Sequence, residues 1–162
     1  MKYYLAYGSN LHVAQMKRRC PGAHSIGTAW LEGWRLAFRG SKTGAYLTII
    51  RDSRARTPVG VWQITDEDEK ALDYYEGYPR FYGKAEMTVD LDPFIDTKEE
   101  PRAIKAVVYI MDPHRPAGVP SRMYVDTCSV GYACFGFSKE PLLRAVSEAL
   151  GAAPKRRKKV TA

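Results

Sequence analysis

The 162-residue chain contains no apolar run approaching the ~20 residues that a membrane-spanning helix needs. A helical membrane protein is thereby excluded, and no membrane partner is expected. Its three cysteines, Cys20, Cys128 and Cys134, are odd in number and lack Cys-x-x-Cys spacing. That argues against a disulfide framework and predicts buried, reduced thiols. The three histidines, His12, His24 and His114, form no His-x-x-x-His pair, so no zinc site and no metal are expected. No local signature marks a Cys–His nucleophile pair either. The segment from Met1 to Gly8 lacks the apolar stretch and cleavage site of a secretory signal. The expected location is the cytoplasm.

Charge of one sign is also scarce once it is located. The net charge is +7, from 25 Lys+Arg against 18 Asp+Glu, but Lys155, Arg156, Arg157, Lys158 and Lys159 supply five of it. Residues 1–154 are left with 20 basic and 18 acidic groups. A nearly neutral body with a basic end argues against nucleic acid as the defining partner, because such a run binds polyanions without specificity. We expect one domain over residues 1–151 and a basic, solvated, disordered tail over 152–162. A chain of this size buries roughly 70% of its unfolded surface, enough for a core without staples. Nothing in the sequence specifies an oligomeric state.

What is present is a succession of short elements. Lys2–Tyr7 predicts a strand ending in the turn Gly8-Ser9-Asn10. Asn10 is a candidate cap for a helix over Leu11–Arg19, stopped by Pro21-Gly22. Ser25–Arg39, Tyr46–Arg51 and Pro58–Ile64 predict separate strands. Thr65 followed by Asp66-Glu67-Asp68-Glu69 is a strong helix start, and Gly77 stands where a helix-ending glycine belongs, giving a helix over Asp66–Glu76. Phe81–Leu91 and Ala103–Met111 predict strands, and Asp112–Pro120 an irregular loop. Ser121 and Ser138 begin two last helices, ending near Ala133 and Leu150. Without regular strand–helix alternation, the fold class is α+β around a mostly antiparallel or barrel-like sheet.

Two segments hold chemistry-bearing residues. A strand running into Gly8-Ser9-Asn10 gathers backbone N–H groups suited to a carboxylate or an oxyanion, although a tight turn with a cap is the plainer reading of the triplet. In Asp73-Tyr74-Tyr75-Glu76-Gly77-Tyr78-Pro79-Arg80-Phe81-Tyr82, Glu76 lies among five aromatics at a helix C-terminus. Apolar surroundings and the negative helix end both raise its pKa towards neutrality, and Arg80 opposes them if it pairs. Taken alone, Glu76 is more readily a surface residue beside a tyrosine patch.

Together the two segments resemble the gamma-glutamylcyclotransferase family. Tyr7-Gly8-Ser9-Asn10-Leu11 follows the leading strand, and Leu72-Asp73-x-x-Glu76-Gly77-Tyr78 follows about 65 residues later. The likeness continues through Val107-Val108-Tyr109-Ile110-Met111 and Pro120-Ser121-x-x-Tyr124, over roughly residues 2–137. It implies a small mixed, mostly antiparallel barrel with helices outside it. It implies a γ-glutamyl substrate bound by Tyr7, Gly8, Ser9, Asn10 and Leu11, with Glu76 as catalytic acid/base. Tyr82, Tyr109 and Tyr124 correspond to pocket tyrosines, whereas Arg80 and Phe81 lie where members vary.

The implied reaction suits these residues. A γ-glutamyl amide carries an α-amine that can close on its own γ-carbonyl, so no nucleophilic side chain, metal or other cofactor is required. The protein must fold the substrate, take a proton from the α-ammonium and return one to the departing amine. The products are 5-oxoproline and a free amine. Other readings are a cyclotransferase for specialised γ-glutamylated amines or peptides, a hydrolase releasing glutamate, and a non-catalytic domain holding an acidic small molecule.

Overall fold

The computed structural model describes residues 1–41 and 44–152. The basic run Lys155–Lys159, the rest of the expected tail beyond Ala152, and Lys42-Thr43 lie outside the described residues. Five strands, β1 (Lys2–Ala6), β2 (His24–Ser41), β3 (Gly44–Ile64), β4 (Tyr82–Pro93) and β5 (Arg102–Met111), form a closed barrel in the order β1-β3-β2-β4-β5. Four helices accompany it: α1 (Val13–Arg19), α2 (Asp66–Glu76), α3 (Arg122–Cys134) and α4 (Glu140–Ala152).

Neighbouring strands run antiparallel except at the seam, where β1 meets β5 in parallel at Tyr4 and Val107. The sheet is therefore mixed and mostly antiparallel, as the sequence implies. The C-terminal part of β3 is buried on both faces, with Val59, Val61, Trp62 and Ile64 no more than 1% exposed. Such two-sided burial explains its continuous apolar run. Burying side chains of this size contributes ~1.5–3 kcal/mol each.

Two local expectations need correction. Tyr46–Arg51 and Pro58–Ile64 belong to one strand, β3, paired with β2 along its length. The polar residues between them are absorbed by a bulge opposite Glu32 and Trp34, where the Thr57 hydroxyl donates to the Trp34 carbonyl. The helix expected over Leu11–Arg19 is instead a 3-10 turn, Ser9–Leu11, followed by α1. His12 caps α1, its Nδ1 accepting from the Gln15 N–H, and Asn10 is free for other work.

The turn is pinned from behind. A Cβ placed on Gly131 of α3 would lie 2.6 Å from Leu11 Cβ, so only glycine lets that helix approach so closely. Leu11 and Tyr132 are fully buried at this contact, and the Tyr132 hydroxyl donates to the Tyr7 carbonyl. The segment after β1 is thus fixed where the barrel opens. Of the cysteines, Cys20 and Cys128 are buried as expected, but Cys134, at the outer end of α3, is exposed; all three are free.

Candidate active site

β1 pairs with β3 only over Lys2–Ala6, against residues 60–64. Farther up β3, where β1 has turned away, the backbone of Leu47 is satisfied by side chains. Its N–H donates to the Tyr124 hydroxyl at 3.1 Å, and its carbonyl accepts from the Tyr82 hydroxyl at 2.7 Å. Two tyrosines thus occupy the place of a strand. The gap they wall is a cavity of about 440 Å³, which also reaches Tyr7, Gly8, Ser9, Asn10, Glu76 and Tyr109.

Eight of the nine residues singled out in the sequence therefore border one cavity. Leu11 is the exception. It is fully buried and faces α3 and the core, because the 3-10 turn sends Ser9 and Asn10 toward the cavity and Leu11 away from it. Tyr4, Tyr46 and Tyr75 also line the space without having been singled out. Tyr4 is one alternation before Ala6 on a strand, which marks it as core and gives no hint of a cavity.

The tyrosines are held by specific bonds. The Tyr7 hydroxyl donates to the Tyr109 carbonyl at 2.6 Å, and the Tyr109 hydroxyl donates to Asp73 Oδ1 at 2.6 Å. Burial raises the pKa of Tyr4, Tyr7, Tyr82, Tyr109 and Tyr124, which keeps these phenols neutral.

Glu76 is the last residue of α2, before Gly77 in the left-handed conformation at φ 64°. The glycine stops the helix and leaves the carboxylate at its negative end. Asn10 Nδ2 donates to Glu76 Oε1 at 3.2 Å and to the Tyr4 hydroxyl at 2.9 Å. No Lys, Arg or His forms a salt bridge with Glu76 among the described residues. Burial pushes its pKa up to about 7, opposed by Arg19. Arg80, the cation suggested by its position in the sequence, is exposed, and its carbonyl accepts from Arg115. Arg19 reaches the site from the last turn of α1: its guanidinium lies 3.2 Å above the Tyr75 ring centre and donates to Asn10 Oδ1. No sequence signal marks it, because its contacts are made across the fold.

Asp73 lies one helical turn before Glu76 and is neutralised by Lys84 at 3.0 Å. The two carboxylates of this helix end thus stand in different states. One is paired with a cation, whereas the other faces a largely aromatic cavity with a proton affinity suited to exchange at neutral pH.

The described residues contain no group of three or more His, Cys, Asp or Glu placed to hold a metal ion. No helix among them is long and apolar enough to cross a membrane.

Comparison with curated proteins finds no match. Among solved structures, a gamma-glutamyl cyclotransferase is similar at 23% identity and a TM-score of 0.73, over 96% of this chain and 89% of that one. An uncharacterized protein from Homo sapiens is similar at 24% identity and a TM-score of 0.72, over 97% and 90%. YkqA from Bacillus subtilis is similar at 19% identity and a TM-score of 0.75, over 95% of this chain and 55% of that longer one. At these identities the likeness speaks for the fold. A family model described as "Gamma-glutamyl cyclotransferase, AIG2-like" matches residues 4–126, which contain the cavity loop, Asp73, Glu76, Tyr82, Tyr109 and Tyr124. By that match the chain belongs to the AIG2-like gamma-glutamyl cyclotransferase family.

Proposed function

We propose that the protein cyclises a γ-glutamyl amide, releasing 5-oxoproline and a free amine, with Glu76 as the acid/base. The observation that carries the reading is a single carboxyl with its pKa raised to about 7, set in a tyrosine-walled cavity beside Gly8-Ser9-Asn10.

In the reaction the substrate supplies its own nucleophile. Glu76, ionised, takes a proton from the α-ammonium, whose reference pKa is about 8. The freed amine nitrogen attacks the γ-carbonyl carbon, forming the ring C–N bond and placing negative charge on the carbonyl oxygen. Collapse of that intermediate breaks the original amide C–N bond as Glu76 returns its proton to the leaving nitrogen. The ring nitrogen then gives up its second proton, through the regenerated Glu76 carboxylate, to the departing amine or to solvent. No water is consumed. A group with a pKa near the working pH serves both transfers, because it accepts and releases a proton at similar cost.

The cavity's part is to hold the glutamyl chain bent. Closing a ring from a preset geometry supplies a share of the acceleration that would otherwise need a nucleophilic side chain. In the turn, the Leu11 and His12 amides are committed to the Gly8 and Ser9 carbonyls. The preceding amides at Ser9 and Asn10 are the first-turn donors available to a substrate carboxylate or developing oxyanion.

The test is mass spectrometry of products from a panel of γ-glutamyl amides incubated in ¹⁸O-water. The reading predicts 5-oxoproline free of ¹⁸O, formed by the wild type and strongly diminished in Glu76→Gln. Glutamate carrying ¹⁸O would make the protein a hydrolase. Binding without any product would make it a binding domain.

A further inference from the structure

We infer that Asp73 sets the polarity of the Tyr109 hydroxyl, so that the cavity offers a substrate's α-ammonium an oxygen acceptor at Tyr109. The inference rests on the cyclotransferase reading above and adds to it a positioning residue that never touches substrate.

The argument begins with hydrogen-bond bookkeeping. A phenol has one hydrogen and two lone pairs, and a carboxylate accepts only. At 2.6 Å from Asp73 Oδ1, the Tyr109 hydrogen is committed to the carboxylate. Lys84, 3.0 Å from Asp73, pairs with that carboxylate and fixes its position, and Glu69 holds Lys84 from its other side at 3.0 Å. What remains on Tyr109, a residue that borders the cavity, is lone-pair density. Its ring packs edge-on against Tyr4, whose hydroxyl accepts from the same Asn10 that bonds Glu76. Acceptor and base thus flank one space. An ammonium carries three hydrogens, so it can give one to Glu76 and donate a second to Tyr109. The second contact orients the nitrogen for attack while the first removes the proton.

Asp73→Asn inverts this arrangement. The amide donates to the Tyr109 oxygen, and the phenolic hydrogen then turns toward the cavity and opposes a cation. Tyr109→Phe removes the acceptor outright. Both are tested in the Glu76→Gln background, where ligand is bound without turnover. The probes are γ-glutamyl anilide and glutaryl anilide, which differ only in the α-amine, measured by calorimetry. In Glu76→Gln itself the amine is expected to strengthen binding about tenfold or more, as charge-assisted hydrogen bonds do. Adding Asp73→Asn or Tyr109→Phe should reduce that preference to about twofold or less, with glutaryl affinity little changed. The two together should lose no more than either alone.

A purely structural role for Asp73 would weaken both ligands alike, and that result overturns the inference. So does an amine preference that survives Asp73→Asn. If Asp73→Asn fails to fold, Asp73→Ser frees the Tyr109 hydroxyl without adding an amide donor and makes the same test. Turnover of γ-glutamyl anilide by the wild type is measured alongside. Turnover with an unchanged preference in the variants overturns this inference alone. Absence of both turnover and preference overturns the functional reading and this inference with it.

Discussion

At the N-terminal end of α2, Asp68 closes a reciprocal cap with Thr65 and accepts from the Gly22 N–H, and Glu69 is bound by Lys2 and Lys84. Hydrogen bonding to Lys2 and then to Lys84, against some desolvation, holds the Glu69 carboxyl below its ordinary range. At the C-terminal end of the same helix, Glu76 has one amide donor, no salt bridge among the described residues, and tyrosines around it. Its carboxyl is raised to about 7. The side-chain chemistry is the same at both ends. Burial without a paired cation disfavours the charged form at the second end, and helix polarity, which favours carboxylates at the first end and not at the second, acts in the same direction. One end holds the helix in place; the other stores a proton affinity that stability alone would not select.

The largest break in that comparison comes from Glu76→Gln, which keeps shape and loses proton exchange. It should lower kcat by about 10²–10⁴-fold with ligand binding retained. Glu67→Gln, at the exposed opposite end, should change initial rates by less than about twofold. Next is Gly8→Val. A Cβ at Gly8 lies 3.2 Å from the Tyr124 hydroxyl and 3.5 Å from Leu47 Cβ, so the added methyl groups press on the cavity wall. A misplacement of about 1 Å in the bound geometry costs on the order of 10²-fold in kcat/KM, while the melting temperature should fall by only a few degrees.

A smaller effect sharpens the electrostatics. With ionised Glu76 as the proposed base, kcat/KM should rise with pH through about 7. Arg19 favours the ionised form, so Arg19→Met should move this rise to higher pH, seen as a larger loss at pH 6 than at pH 8.

Stability moves the other way. A carboxyl whose folded pKa is raised binds more protons folded than unfolded between about 4.5 and 7, so the wild type loses stability as pH rises through that window. Glu76→Gln removes this penalty. It should match the wild type near pH 4 and exceed it by ~1–3 kcal/mol at pH 8 in urea unfolding. The smallest effect is on the exposed Cys134, which should react with a thiol reagent under native conditions while turnover is little changed.

What was legible in the sequence is what neighbouring residues decide. The Thr65 cap and the Gly77 stop are local backbone chemistry, and four of the nine aromatics lining the cavity, Tyr74, Tyr75, Phe81 and Tyr82, are sequence neighbours of Glu76. The order of elements left a barrel-like sheet as one of two readings, and the family resemblance, not strand periodicity, favoured closure. What was not legible depends on contacts across the fold. Arg19, and not the adjacent Arg80, faces Glu76, because α1 and α2 lie side by side. Asn10 serves the cavity instead of capping, because His12 takes the cap. Leu11 belongs to the core, because the backbone tightens into a 3-10 turn. A motif read from sequence names neighbours along the chain, and the turn decides which of them face the same way.

The central claim is that the Glu76 carboxyl of α2 has its pKa raised to about 7. It is tested most directly by a ¹³C NMR titration of the glutamate side-chain carboxyls in the unliganded protein. The account predicts one resonance titrating near 7, absent from Glu76→Gln and displaced upward in Arg19→Met. A wild-type titration in which every glutamate carboxyl ionises below about 5 would contradict it.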